Sequence, residues 1–314
     1  MNRLAVAASG AALLLPVVAG CAAFTDDSVG LGNGVQVATA FYPLQYVAGR
    51  VAGELAEVEN LTAPGNEPHD LELTIKETAD VANADLVVYL HGFQPSVDDA
   101  VDTVAAGATF DVTDAVELRP AGPSDHDHHE EDEEHADEEH DHGDDDPHFW
   151  QDPLLMADLG DAVAEQLAEV DADHADDYRA NAAALRADLE ALDAAYEDGL
   201  AGCERQTVVV AHDAFGYLGR YGLEFEPIAG LSPDAEPTPA DLAHLQQVIE
   251  DHGVTTVFYE SLVSPVIAEQ LAHDTGAQVG VLDPVEGLTD ETADEDYLSL
   301  MEQNLAALEE ANGC

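Results

Sequence analysis

Strand-length apolar runs alternate with amphipathic stretches through the first third of the chain. Residues 34–40 (GVQVATA), 56–61 (AEVENL) and 86–90 (LVVYL) have the length and composition of buried strands. Residues 43–55 and 74–84 between them carry the spacing of helices. Buried runs separated by helices predict a parallel sheet covered on both faces. Residues 154–170 and 173–200 then read as two long helices rich in Ala, Leu and Asp. At 1.5 Å per residue the second would span about 42 Å, enough to cross from one lobe to another. Its apolar positions are mostly Ala, a weak seam for a coiled coil.

The second half repeats the rhythm. Strands are predicted at residues 207–211 (TVVVA), 254–259 and 278–282, and helices at 215–221, 238–251, 265–275 and 296–311, with Thr238 as a cap. The expected fold is α/β: two α/β lobes with parallel-type sheets joined by one long rigid helix, the functional cleft lying between them. The boundaries read as 34–170 for the first lobe, 171–202 for the linking helix and 203–314 for the second lobe.

Charge narrows the function. Eight Lys plus Arg stand against 67 Asp plus Glu, a formal net charge of −59. Such a surface repels phosphate backbones and anionic headgroups, which argues against a nucleic-acid partner. The sole lysine, Lys76, and the abundance of acids suit a salty environment more than any mechanism.

Residues 1–20 read as an export signal, with Arg3 before a short apolar run. The small residues of VVAG ahead of Cys21 resemble a bacterial lipoprotein cleavage box, so Cys21 is the candidate lipidation site and residues 21–33 a flexible tether. An ordinary secretory signal is the alternative. With Cys21 acylated, Cys203 and Cys314 remain as an even pair in an oxidising compartment, either bridged or as two free thiols. A bridge over so long a loop would contribute about 4–5 kcal/mol in the chain-entropy model.

Four positions lie where ligands are presented, in loops after strands. They are His69 in EPHD, His148 in DPHFW, His212 after VVVA and Asp283 after the strand at 278–282. Two fall in each lobe, which would set a cation in the cleft. Three imidazoles and one carboxylate fill a tetrahedral shell with no place left for water, so such a site binds rather than catalyses.

The pieces TAFYPLQYVAGRVAG, GNEPHDLELT, DPHFWQDP, VVVAHDAFGYLGRYGLE, LSPDAEPTPADL, VFYESLVSP and VLDP follow in order over nearly the whole mature chain. Taken together they resemble the zinc/manganese-type metal-binding proteins of ABC transporters, the zinc-uptake solute-binding lipoproteins. The resemblance implies metal ligands at His69, His148, His212 and Asp283. It places Glu67 and Glu260 as supporting groups or alternative ligands, Glu260 orienting a neighbour. Manganese and iron members tend to carry a carboxylate at the third position, so His212 points to zinc. The implied partners are an ABC permease and its ATPase, with a lipid anchor at the outer face of the cell membrane and a monomeric state.

The segment 124–146 places His126, His128, His129, His135, His140 and His142 within 17 positions among 14 acids. It cannot bury a core and is expected to be disordered. Zinc members of the resembled family often carry such a loop, which makes it an auxiliary, weak zinc collector. No phosphate-binding glycine loop, Ser/His/Asp arrangement or HExxH occurs, so the chain reads as no enzyme. The competing readings are manganese or iron on the same scaffold, a cell-surface zinc buffer or adhesin, and a metallohydrolase. The last would need an open coordination position.

Overall fold

The computed structural model describes residues 34–121, 145–233 and 235–314. The export signal, Cys21, the tether and the six histidines of the acidic segment lie outside the described residues. The first sheet is built from β1 (Val35–Thr39), β2 (Ala56–Asn60), β3 (Leu86–Tyr89) and β4 (Ala108–Asp111), in the order β2-β1-β3-β4 and parallel throughout. Helices α1 (Tyr42–Ala52), α2 (Ile75–Asn83) and α3 (Pro95–Val104) make the crossovers. Thr74 starts α2 through a reciprocal cap: its Oγ1 accepts from Glu77 N, and Glu77 Oε2 accepts from Thr74 N at 2.6 Å.

A two-residue antiparallel pair, β5 (Arg119–Pro120) with β6 (Asp145–Asp146), brackets the acidic segment. The final two acids of that segment are therefore folded, which corrects the expectation of disorder as far as Asp146. Arg119 Nε lies 3.8 Å from Asp146 Oδ2 and its guanidinium covers the Tyr217 ring, while the Tyr217 hydroxyl donates to Asp146 O.

Next come α4 (Pro153–Val170) and α5 (Ala175–Gly199), packed closely side by side. Gly160 permits the approach, since a Cβ there would lie 3.1 Å from Leu185 Cδ2. With 25 residues, α5 runs about 38 Å. It lies on α1 of the first half and reaches α8 (Tyr297–Asn312) of the second, where Tyr196 donates to Met301 O at 2.7 Å.

The second sheet holds β7 (Thr207–Val210), β8 (Glu224–Pro227), β9 (Thr256–Tyr259) and β10 (Gln278–Val281), in the parallel order β10-β9-β7-β8. Helices α6 (Pro239–His252) and α7 (Val266–Thr275) complete it. The stretch predicted as a helix at 215–221 is a 3-10 turn, Gly216–Tyr221. The edge strands β4 and β8 escaped the sequence reading because they bury little: only Phe110 of β4 is buried, and β8 alternates Glu with partly exposed residues. A bridge joins Cys203, just before β7, to Cys314 after α8.

The two halves share one core. Val37, Leu44, Trp150, Leu185, Phe215, Leu282 and Leu308 belong to a single buried cluster, and a smaller one around Val209, Val257 and Leu271 lies in the second half. Across the junction the Tyr46 and Tyr297 rings stack at 5.2 Å. Such continuous packing leaves little freedom for one half to swing on the other.

Candidate metal centre

Parallel sheets present their loops at the carboxyl ends of the strands, and the chemistry-bearing residues collect there. His212 follows β7, Glu260 follows β9 and Glu286 lies in the loop after β10. His69 comes from the long loop after β2, and His148 from the turn between β6 and α4. Together His69, His148, His212 and Glu286 place one ligand atom each within 4.8 Å of one another.

The separations are specific. Glu286 Oε1 lies 3.3 Å from His148 Nε2, 3.3 Å from His212 Nε2 and 3.5 Å from His69 Nε2, and the His148 and His212 Nε2 atoms are 3.4 Å apart. Four donors arranged tetrahedrally around a centre about 2.0–2.1 Å away stand about 3.3–3.4 Å from each other. Glu286 Oε1 and His69 Nε2 are buried and have no hydrogen-bond partner among the described residues. Those two atoms therefore face the common point without a partner of their own.

Two of the imidazoles are set by acids behind them. His148 Nδ1 donates to Asp146 Oδ1 at 2.8 Å, and the same oxygen accepts from His148 N. His212 Nδ1 donates to Glu260 Oε1 at 2.6 Å, which also accepts from His212 N at 3.1 Å. Each bond fixes the tautomer that turns the Nε2 lone pair inward. Glu67 acts differently: its Oε2 accepts from His69 N at 2.9 Å, and its Oε1 stands 4.0 Å from His69 Nε2. Gln94, buried at the start of α3, fastens two points of that loop by donating to Pro68 O and Thr62 Oγ1.

The electrostatics follow. Burial would lower the His212 imidazolium, but Glu260 and Glu286 outweigh it and push its pKa up to about 10. Burial would raise the Glu286 carboxyl, yet His212, His148 and His69 hold it well below the usual range. Burial also lowers His148, but Asp146 and Glu286 raise it overall. His69 is lowered, first by burial and then by the neighbouring histidines. Burial and the proximity of Glu286 lift Glu67 to about 7.

Asp283, expected as the fourth ligand, is not in the converging set. Its Oδ2 accepts from Ser261 Oγ in the loop after β9 at 2.5 Å and its Oδ1 accepts from Val285 N at 2.7 Å, so both carboxylate oxygens are engaged away from the converging set. Its backbone is clamped by Asn304, which accepts from Asp283 N at 2.9 Å and donates to Asp283 O at 2.6 Å. Pro284 O accepts from Trp150 Nε1 at 2.8 Å and Gln151 Nε2 at 2.6 Å, binding this loop to the one carrying His148. Val285 has φ 59°, the sole positive φ outside glycine among the described residues. For a β-branched residue that conformation costs on the order of 1–3 kcal/mol. The chain direction it sets brings Glu286, the next residue, to the site.

Sequence reasoning missed Glu286 and Asp146. Both stood in view, in VLDPVEG and DDPHFW. The available signal was an acid between β-branched Val285 and Gly287, and one two residues before a candidate ligand. His91, in the turn after β3, is exposed beside Asp98 at 3.4 Å and stands outside the set.

Two parallel α/β halves closing on a buried set of three imidazoles and a carboxylate define a metal-binding solute receptor. The family model of the zinc-uptake complex component A, periplasmic, matches residues 37–311, and the chain belongs to that family. It is 34% identical over 307 residues to the high-affinity zinc uptake system protein ZnuA of Bacillus subtilis, covering 96% of this chain and 95% of that one. It is 35% identical over 286 residues to the zinc-binding lipoprotein AdcA of Streptococcus pneumoniae, covering 88% of this chain but 55% of the relative, so the chain spans about half the length of that protein. The Zn(II)-bound structure of AdcA superposes with a TM-score of 0.74 at 32% identity, over 90% of this chain and 58% of that one. The laminin-binding protein Lmb of Streptococcus agalactiae, described as bifunctional with adhesin and metal-transporting activity, gives a TM-score of 0.77 at 29% identity, over 88% and 99% of the two chains.

Proposed function

We propose that this chain is the extracytoplasmic, high-affinity zinc-binding subunit of an ABC importer, and that His69, His148, His212 and Glu286 hold the ion it delivers to a membrane permease driven by an ATPase. The observation that carries this reading is the set of 3.3–3.5 Å separations between Glu286 Oε1 and the three Nε2 atoms. Three imidazoles favour zinc over manganese or iron, which prefer more oxygen. Four protein donors close a tetrahedral shell, leaving no position for an activated water, so capture without catalysis is the fitting role. Members of the family are named for a zinc-uptake complex, and the name of the pneumococcal relative includes lipoprotein. On that basis the chain is anchored at the outer face of the membrane by lipid on Cys21 and works as a monomer. Auxiliary collection by the histidines at 126–142 belongs to the same reading. Likeness to Lmb supports a second reading, in which the exported chain also adheres to host matrix.

Titration calorimetry with Zn(II) and Mn(II), on the chain and on His212→Ala, tests the site. One tight zinc site, lost or weakened at least a hundredfold in the variant, is expected. Tight binding that ignores the substitution would refute this ligand set, and a preference for manganese would refute the choice of metal. Laminin binding on an immobilised surface, compared with and without zinc, tests the adhesive reading.

A further inference from the structure

The loop between β10 and Glu286 is held at several polar points yet contains a strained residue. Leu282 N donates to Tyr259 O at 3.1 Å, Asn304 takes both backbone groups of Asp283, and Pro284 O takes Trp150 and Gln151. Directly after these anchors Val285 adopts φ 59° with its side chain fully buried, and its N–H is held by Asp283 Oδ1. A β-branched residue leaves that conformation readily unless its surroundings impose it. If Val285 relaxed to an ordinary backbone, the chain would turn and the carboxylate of Glu286 would leave the three imidazoles.

We infer that Val285 is a positioning residue that stores strain against Glu286 and so sets how fast the metal is released. The inference rests on the metal-binding reading above. The loop has two arrangements. In one, left-handed Val285 presents Glu286 and the ion has four donors. In the other, Val285 is relaxed, Glu286 is withdrawn and the ion has three. The metal stabilises the first and the strain favours the second, so a receptor that must hand over its cargo is not trapped by its own closed shell. The anchors around Asp283 and Pro284 confine the change to residues 285–286. Asp283, poised to capture Val285 N, is the latch of the strained arrangement.

Release is measured on the full-length chain loaded with one equivalent of Zn(II) and mixed with excess EDTA, following the sole tryptophan, Trp150, whose ring lies 5.1 Å from that of His148. The decisive pair is Val285→Gly against Val285→Ala. Both lose the branched side chain, but only glycine adopts positive φ freely. Zinc should leave Val285→Gly about fivefold more slowly than Val285→Ala, the equivalent of roughly 1 kcal/mol. In a Glu286→Gln background the difference should vanish, because the strain acts through that carboxylate. Val285→Asn, which tolerates the left-handed region, against Val285→Thr, which does not, repeats the comparison with fuller side chains should the small residues unfold the loop. Equal release from Gly and Ala, faster release from Gly, or a difference that persists without Glu286 would each overturn the inference. Failure of the unsubstituted chain to take up one tight zinc would instead refute the metal reading itself.

Discussion

On one side of the site His148 and His212 have carboxylates seated behind their rings, Asp146 at 2.8 Å and Glu260 at 2.6 Å. On the other, His69 has no such group bonded to its ring among the described residues, and its companion Glu67 holds only its backbone. The first side is also bolted across the junction, through Trp150 and Gln151 to Pro284 and through Tyr297 to Trp150 O at 2.6 Å. Two imidazoles are thus preassembled on packed elements, Glu286 is presented by the strained turn at Val285, and His69 arrives on a loop fastened mainly at Gln94 and by Gly65 N to Leu288 O. Rigid preassembly lowers the ordering cost of binding, and one adaptable ligand lets the ion enter.

The contrast can be broken by removing donors. If about 10–16 kcal/mol of zinc binding is shared over four ligands, losing one costs about a hundred- to a thousandfold in affinity. Glu286→Gln should show that loss in calorimetry, while Asp283→Asn should cost at most about tenfold. The reverse order would restore Asp283 as the ligand. A second substitution pair addresses the fold instead of the metal. His212→Ala strands Glu260 and Glu286 in the interior and should destabilise the metal-free chain by on the order of 3 kcal/mol, whereas His69→Ala should cost under about 1 kcal/mol. Thermal unfolding in EDTA compares them, and equal losses would erase the distinction between the two sides.

The supporting acids sharpen it further. Asp146→Asn and Glu260→Gln should each weaken zinc about 10- to 100-fold, and Glu67→Gln less, measured by competition with a chelating dye. The smallest effect is in pH. His212 and His148 have folded pKa values raised above their unfolded ones, so their contribution is complete below the ordinary imidazole range and is lost as pH rises through the folded value, about 10 for His212. Glu67, raised to about 7, acts in the same direction from the carboxylate range to neutrality. The metal-free chain should therefore lose stability from these groups on going alkaline. Zinc uptake near pH 8 should liberate about one proton, seen as a dependence of the calorimetric heat on buffer.

Much of this was legible in the sequence because buried parallel strands write themselves as continuous apolar runs. LVVY and TVVV announce β3 and β7, and His212 follows directly after the second. The edge strands were not, since exposed Glu224 and half-buried Glu226 carry no apolar signature. Asp283 reads as the ligand because it stands directly after a late strand and matches the LDP of the resembled family, while no such match marks Glu286. Distinguishing them required knowing that Asp283 spends both oxygens on Ser261 and Val285 N, and that Val285 turns the chain through a conformation its side chain disfavours. Neither fact has a local sequence code. Asp146 was hidden for another reason: it closes a run of like residues, and only pairing with Arg119 and burial separate it from the rest.

The bridge from Cys203 to Cys314 spans 111 positions and encloses β7 through α8, the entire second sheet, in one covalent ring. A peptide bond cut anywhere inside that ring opens it without releasing a fragment, whereas a cut between α4 and α5 severs the chain at once. An extracellular protease nicking the exposed stretch near residue 236 would thus leave His212 and Glu286 tethered to each other until a reductant arrived. Gel mobility of nicked protein with and without thiol would read that difference directly, as one band against two.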